Sequence, residues 1–384
     1  MRVLIAFDKF KDSIGAARAC EVAAGAVAAA GWDADPCPLT DGGEGFMDIL
    51  SRAAGGERVA RRVTGPRGGV VEASYGLVPA DRIPTGARAL MGTAAGSGGA
   101  IAIVEMASAS GLSLLPPGMR DPMRASSYGT GELIRAAAAG ARAILVGLGG
   151  SATHDLGLGA AGALGVRFID SSGRSLDPLV PADWGRLHRI EGGVAEGLPP
   201  LLIACDVRNP LLGPHGAVAV YGRQKGLKPE DAAGLEAGSG RVAALVCGHF
   251  GRPAGLAATP GAGAAGGTAF GLMAAAGAAL LPGFDLVSAW LDLDARLAAA
   301  DVVFTGEGRF DDSSLSGKGP GAVVRRALSM GKEVHVFAGA VSIARPIPGL
   351  SAHAITPAGM ALPEALERAP GLLANSVGRA LAGR

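Results

Sequence analysis

Aromatic side chains are scarce, with Phe, Trp and Tyr making up 4% of the 384 residues. A core of this composition must be built from Ala, Val and Leu, and 49% apolar residues are enough for a sizeable one. An excess of charge of one sign is also missing. The 35 basic and 34 acidic residues leave a net +1, so the chain lacks the basic footprint that nucleic-acid or membrane-surface binding needs, and neither partner is expected. Cysteine is sparse and scattered: Cys20, Cys37, Cys205 and Cys247 form no C-x-x-C and no paired Cys/His spacing. That excludes a disulfide scaffold as the organising principle and suits free thiols in a reducing compartment. The six histidines never fall at i, i+4 or as H-x-H, which argues against zinc. The longest uncharged run, 253–284, is Gly/Ala-rich and broken by Pro260 and Pro282, a pattern for a buried helix rather than a membrane span. After Arg2 charge returns already at Asp8, too soon for a signal-peptide apolar region, so a cytoplasmic protein is expected.

Several nucleotide and hydrolase signatures are absent: there is no G-x-x-x-x-G-K-[ST], no H-R-D or D-F-G, and no G-x-S-x-G. G-x-G-x-x-G occurs at 157–162 and 261–266, but 63 glycines supply roughly two such matches by chance. Neither match has a persuasive acid about 20 residues on, so a nicotinamide-dependent dehydrogenase is disfavoured.

What the chain does contain is a recurring kind of loop. In Ala143–Asp155 an aliphatic run enters Gly147, Gly149 and Gly150, then Ser151, Thr153, His154 and Asp155. Glycines admit close approach of backbone to a ligand, small hydroxyls donate to anion oxygens, and an acid holds a metal or takes a proton. Acids also follow other strand-like runs or glycine turns, at Asp8, Asp41/Glu44, Asp206 and Glu307/Asp311, with Lys11, Lys225 and Lys318 in comparable loops. Phosphoryl transfer uses this mixture: amides and Lys on the phosphates, carboxylates on Mg²⁺, and one carboxylate for the hydroxyl proton. Taken singly, each has a plainer explanation. Acids cap helices or suit the helix dipole, and a loop Lys is usually only solvated.

The length implies two domains. Strands are expected at 2–6, 35–38, 101–105, 143–146, 166–170, 201–205, 300–304, 333–338 and 352–355, and a hairpin at 61–64 and 70–78. Ser13 is read as the N-cap of a helix reaching about Ala30, and further helices start near Phe46, Ser126, Pro229, 265, Gly321 and Leu362. Residues 79–100 are expected as a loop or edge strand. The α/β rhythm at both ends places residues 1–60 with 286–384 in one parallel α/β domain. Residues 61–285 form an inserted mixed α/β domain, and ligands are expected at the carboxyl ends of strands.

Eight blocks in order then resemble a known family. Asp8-x-Phe10-Lys11-x-Ser13, Asp41-Gly42-Gly43-Glu44-Gly45, Ser127-Tyr128-Gly129-Thr130-Gly131-Glu132 and Gly147-Leu-Gly-Gly-Ser-Ala-Thr153 are similar to type I glycerate kinases. So are Ala204-Cys205-Asp206-Val207-x-Asn209-Pro210-Leu211, Gln224-Lys225-Gly226, Gly261-Ala-Gly-Ala-Ala-Gly-Gly267 and Thr305-Gly306-Glu307-Gly308-Arg309-x-Asp311. The resemblance implies a two-domain α/β fold, one domain doubly wound (Rossmann/flavodoxin-like) and the active site in the cleft between them. It implies ATP-dependent phosphorylation of D-glycerate, at the 2-hydroxyl to give 2-phosphoglycerate, with ATP and Mg²⁺, in a monomer or homodimer. On this expectation Asp155 and Asp206 compete as general base with Lys11 beside them, and Glu307 and Asp311 take Mg²⁺. Substrate or phosphate contacts fall to Asp8, Ser13, Asp41, Gly42, Gly43, Glu44, Gly149, Gly150, Ser151, Thr153, Asn209, Lys225, Gly266, Gly267, Glu307 and Lys318. Lys9, Asp12, His154, Leu156 and Ser313-Ser314 depart from the family pattern: Asp12 and Leu156 stand where it has glycine, His154 where it has Asn. These departures bear on which hydroxy acid is taken. A non-catalytic small-molecule sensor is the rival from another class.

Overall fold

The computed structural model describes residues 1–94, 96 and 98–383. The chain gathers into two compact units, residues 1–41 with 287–384 and residues 42–286. Residues 42–60, expected with the first unit, lie in the second.

The first unit is built on a five-stranded parallel sheet in the order β13-β12-β11-β1-β2. Its strands are β1 (Arg2–Phe7), β2 (Asp33–Pro36), β11 (Val302–Asp311), β12 (Glu333–Ser342) and β13 (Leu350–Ala354). β1 is buried from Val3 to Phe7, as a central parallel strand covered on both faces should be. The helices Ala16–Ala29 and Leu362–Ala382 pack on each other; the helix Pro320–Ser329 packs against β1, β11 and β12. Phe7, Phe304 and Phe337 meet edge to face in the core between them. β11 pairs with β1 only as far as Gly306, yet with β12 as far as Asp311. A two-stranded ribbon carrying Glu307 and Arg309 therefore runs on past the end of β1.

The second unit has a six-stranded sheet in the order β10-β9-β6-β5-β4-β3. Its strands are β3 (Glu57–Thr64), β4 (Val70–Pro79), β5 (Ala100–Glu105), β6 (Ala143–Gly147), β9 (Leu201–Cys205) and β10 (Ala279–Pro282). β3, β4 and β5 are antiparallel, and the rest are parallel. A separate ribbon joins β7 (Arg167–Asp170) to β8 (Leu187–Glu191). The long helix Pro229–His249 closes a second core with Trp184, Leu211 and Phe270. The helix Phe46–Ala53 packs on β4 and β5.

Two expectations change in detail. The stretch 79–100 carries a helix, Thr85–Met91, and Ala95 and Ser97 within it lie outside the described residues. The helix expected over 265–281 ends at Ala276, where Gly277 turns left-handed (φ 66°), and the chain goes on as β10. Among the described residues no helix is long and apolar enough to cross a membrane.

Candidate functional site

In the first unit the candidates gather at the carboxyl ends of the strands. After β1 the chain turns at once. The Asp8 N–H donates to Gly306 O (3.0 Å) and the Lys9 N–H to the Asp8 carboxylate (2.7 Å). Ser13 does not cap the helix that follows. Gly15 holds the N-cap position, and the Ser13 hydroxyl donates to Leu366 O at 2.6 Å instead. A cavity of about 710 Å³ opens here. Asp8, Lys9, Lys11, Asp41, Glu307 and Arg309 form its charged side, and Phe10, Ile355, Met360, Leu362, Leu366 and Ala369 its apolar side. Burial, and then the nearby charges of Asp41 and Glu307, push the Asp8 carboxyl up to about 7. Burial raises Glu307 as well. Lys9 Nζ offsets part of this crowding by pairing with Asp41 at 3.1 Å.

Asp311, expected as a metal ligand, is committed to its own loop. It caps the short helix Asp312–Ser316, accepting from the Ser313 and Ser314 N–H groups (3.0 and 3.3 Å), and it also accepts from Arg309 Nε (3.1 Å). The Ser313 hydroxyl, then the capping amides, hold its carboxyl below the usual range. Lys318 is exposed and lies outside the cavity lining. Among the described residues no group of three acidic, His or Cys side chains can hold a metal ion by itself. That leaves the mode Mg²⁺ commonly adopts with nucleotides, one or two carboxylates plus phosphate oxygens and water. The hard oxygens of Asp8 and Glu307, both carboxyls raised chiefly by burial, fit such an ion; those of Asp311 are engaged in its helix cap.

In the second unit the glycine-rich loops pack on each other. The Gly149 N–H donates to Gly42 O (3.0 Å). A Cβ on Gly149 would lie 2.6 Å from Gly43 Cα, and one on Gly147 would lie 2.5 Å from Gly42 O. These glycines permit backbone-to-backbone contact, and the Gly149 amide, expected to grip an anion, is already used. Gly266, left-handed at φ 65°, would set a Cβ 2.2 Å from Thr153 O, and Gly267 one 3.0 Å from Leu156 Cα. They too are packing glycines. Glu44, at the edge of the first of these loops, is exposed.

Asp155, one of the two expected bases, is enclosed by its own loops. It is fully buried, and its carboxylate accepts from Ser127 N–H (2.7 Å), Ser127 Oγ (2.8 Å), Gly157 N–H (3.1 Å) and Gly159 N–H (3.1 Å). It ties the start of the helix Tyr128–Ala138 to that of the helix Leu158–Ala163. Asp206 is different: it follows the end of β9, is only partly buried, and has Oδ2 pinned by the Phe284 N–H at 2.7 Å. Asn209 shapes the same loop, donating to His215 O (2.8 Å) and accepting from the Tyr221 hydroxyl (2.7 Å). Lys225 is buried, and its ammonium donates to Ser151 Oγ (2.9 Å) and Thr153 O (2.6 Å). Burial lowers its pKa to about 7. Ser151, accepting from Lys225, keeps its own proton to donate.

Glu105 went unremarked as a functional candidate, although it ends β5 just as the selected acids end theirs. It accepts from the Met47 N–H (3.2 Å) at the start of the helix Phe46–Ala53, and burial raises its carboxyl to about 7.

Residues 3–382 match the glycerate kinase family model. The chain belongs to the glycerate kinase family. It is 37% identical over 351 residues to a glycerate kinase of Bacillus subtilis (strain 168), covering 89% of this chain and 86% of that one. It is 35% identical over 351 residues to the glycerate 2-kinase of Escherichia coli (strain K12), with the same coverages. A crystal structure from Salmonella typhimurium LT2, of a protein provisionally assigned as glycerate kinase 2, superposes with a TM-score of 0.73 at 35% identity, covering 100% of this chain and 99% of that one.

Within this glycerate kinase family member the departures take on different meanings. Asp12 and Leu156, in place of glycine, sit at φ 61° and 54°, the left-handed region glycine favours. His154 and Leu156 are fully buried. The Ser239 hydroxyl donates to Leu235 O (2.7 Å), so it accepts from His154 Nε2 (3.2 Å). Burial, and then Lys225, hold this imidazole neutral, near pKa 3. These two departures are changes of packing, whereas Lys9 and Asp12 line the cavity.

Proposed function

We propose that the protein is an ATP-dependent kinase that phosphorylates D-glycerate at the 2-hydroxyl, forming 2-phosphoglycerate and ADP in the cytoplasm. The family supports the chemistry, and the relative named glycerate 2-kinase supports the position. The observation that carries the reading is Asp206, a partly buried carboxylate held at one oxygen by the Phe284 N–H, at the carboxyl end of a parallel strand. Asp206 takes the hydroxyl proton; Asp155, enclosed by four hydrogen bonds, does not. Ser151, with Lys225 behind it, donates to the substrate carboxylate. Lys9 and Lys11 neutralise nucleotide phosphate, and Asp8 and Glu307 hold Mg²⁺. A Mg²⁺ ion held there would supply positive charge against that of the nucleotide phosphates. The two compact units are the domains in which these groups reside.

Phosphorus NMR of the purified protein with MgATP and D-glycerate tests the reading. A phosphomonoester matching 2-phosphoglycerate, rising in step with ADP, supports it. A 3-phosphoglycerate signal overturns the regiochemistry, and MgATP binding without transfer overturns the substrate.

A further inference from the structure

We propose that the cavity of the first unit is the nucleotide seat, with the base held by apolar contact against the start of the helix Leu362–Ala382 and the phosphates directed toward Lys9 and Lys11. This deepens the kinase reading and rests on it. The first support is topological. From β1 the chain proceeds to β2 on one side; from β11 it proceeds to β12 and β13 on the other. Between β1 and β11 the winding reverses, and the loops leaving the strand ends diverge there to open a crevice. Residues following β1, within the far half of β11 and just after β13 all line this cavity.

Size is the second support. A cavity of about 710 Å³ lies within the range that encloses ligands of nucleotide size. A three-carbon acid would leave most of it empty. The lining is the third. One side is charged and belongs to the strand-end loops. The other is apolar and comes from Ile355, Met360, Leu362, Ala365 and Ala369. A nucleotide divides the same way, into a flat base and a polyanion. On the apolar side the nearby Ser13 hydroxyl is already spent on Leu366 O, so contact with the base is by shape and burial. Leu362 adds an observation of its own. It lines the cavity yet stands 69% exposed on the first turn of its helix, a large apolar side chain left for something to cover.

The test measures MgADP affinity by titration calorimetry, with KM for ATP and for D-glycerate, in Leu362→Asp and Ala369→Phe. The first puts a charge at an exposed position that the fold does not need apolar; the second fills the cavity from a buried wall. Each is expected to weaken MgADP and raise KM for ATP by about tenfold or more, leaving KM for glycerate within about twofold. Val70→Asp, at a 64% exposed apolar residue of the other unit, leaves MgADP affinity unchanged. Should Ala369→Phe fail to fold, Leu362→Asp alone decides. Wild-type MgADP affinity in Leu362→Asp overturns the seat while leaving the kinase reading intact. If the variants lose MgADP but the wild type transfers nothing to glycerate, the seat stands and the substrate reading falls. A wild type that binds no MgADP overturns both.

Discussion

In the first unit the winding reverses between β1 and β11; in the second, β3, β4, β5, β6, β9 and β10 succeed one another across the sheet with no reversal. The first leaves its strand ends open around a cavity, with Asp8, Asp41 and Glu307 in the lining. The second fills much of its strand-end region with loops packed glycine on glycine and with buried polar links, Asp155 to Ser127 and Lys225 to Ser151. A glycine turn carrying an acid after a strand thus does two jobs in one chain. Where the winding diverges these acids line a cavity; where it does not, one of them, Asp155, braces loop against loop, and another, Asp206, stays partly open.

The sharpest way to break this comparison is to neutralise one acid of each kind in the second unit. Asp206→Asn removes the proposed base and is expected to lower kcat by ~10²–10⁴ while the fold and MgATP binding persist. Asp155→Asn keeps the shape but turns an acceptor-only group into one bearing N–H donors that face other donors, at a cost of about 2–4 kcal/mol in urea unfolding. The protein that remains folded should turn over normally. Wild-type kcat in Asp206→Asn would remove Asp206 from the mechanism, and wild-type stability in Asp155→Asn would remove the brace.

Next in size are the packing contacts. Gly266→Ala drives a Cβ to 2.2 Å from Thr153 O at a left-handed residue and is expected to cost about 2–4 kcal/mol. Leu156→Gly relieves a left-handed backbone but empties a fully buried site, so the loss of apolar burial prevails by about 2–3 kcal/mol. Chemical denaturation with unchanged m-values measures both. A near-neutral Gly266→Ala would mean that this loop is free to move and open to a ligand after all.

The parallel sheet of the first unit was legible because its strands are continuous apolar runs ended by charge: Val3–Phe7 before Asp8, Val302–Thr305 before Glu307. That logic points to Asp8, Lys11, Asp41 and Glu307, the family resemblance adds Ser13, and all five line one cavity. The same logic could not separate Asp155 from Asp206, since both follow a buried strand. What separates them is Ser127, distant in sequence, whose amide and hydroxyl close over Asp155. Nor could it show that Gly149 serves Gly43 rather than an anion, because the partner loop lies a hundred residues upstream. The β10 strand was hidden by its position after Gly277 in an apolar, alanine-rich run that reads as continued helix.

A smaller effect, visible only against pH, concerns Glu105. Its folded pKa is about 7 against an ordinary glutamate value of 4.5; burial is the main cause, and Asp48 and Glu44 raise it further against the amides of Met47 and Gly45. Between those values the native state binds more protons than the unfolded one, so this group's contribution to stability falls as pH rises and levels off above about 7. Glu105→Gln removes the dependence. Relative to wild type the variant should gain up to about 3 kcal/mol between pH 4.5 and 7.5, at about 1.4 kcal/mol per pKa unit. His154, with its lowered pKa, contributes the opposite slope over part of this window. The variant-minus-wild-type difference is therefore the quantity to follow, and a flat difference would show that Glu105 is ionised throughout.

The smallest effect returns to the first unit. Asp12 has the same left-handed backbone as Leu156, at φ 61°, but its side chain is exposed on the cavity rim. Replacing it by glycine relieves the backbone and empties nothing. An Asp tolerates this region better than most residues, and glycine adds disorder to the unfolded chain, so the net gain is held to about 0.5 kcal/mol. The sign is what matters. Leu156→Gly and Asp12→Gly make the same backbone change in a packed loop and an open one, and should move the unfolding midpoint in opposite directions. A loss of more than about 1 kcal/mol in Asp12→Gly would mean that the Asp12 side chain braces its loop as Asp155 braces its own. The first unit's strand ends would then not be the open surface on which the nucleotide seat depends.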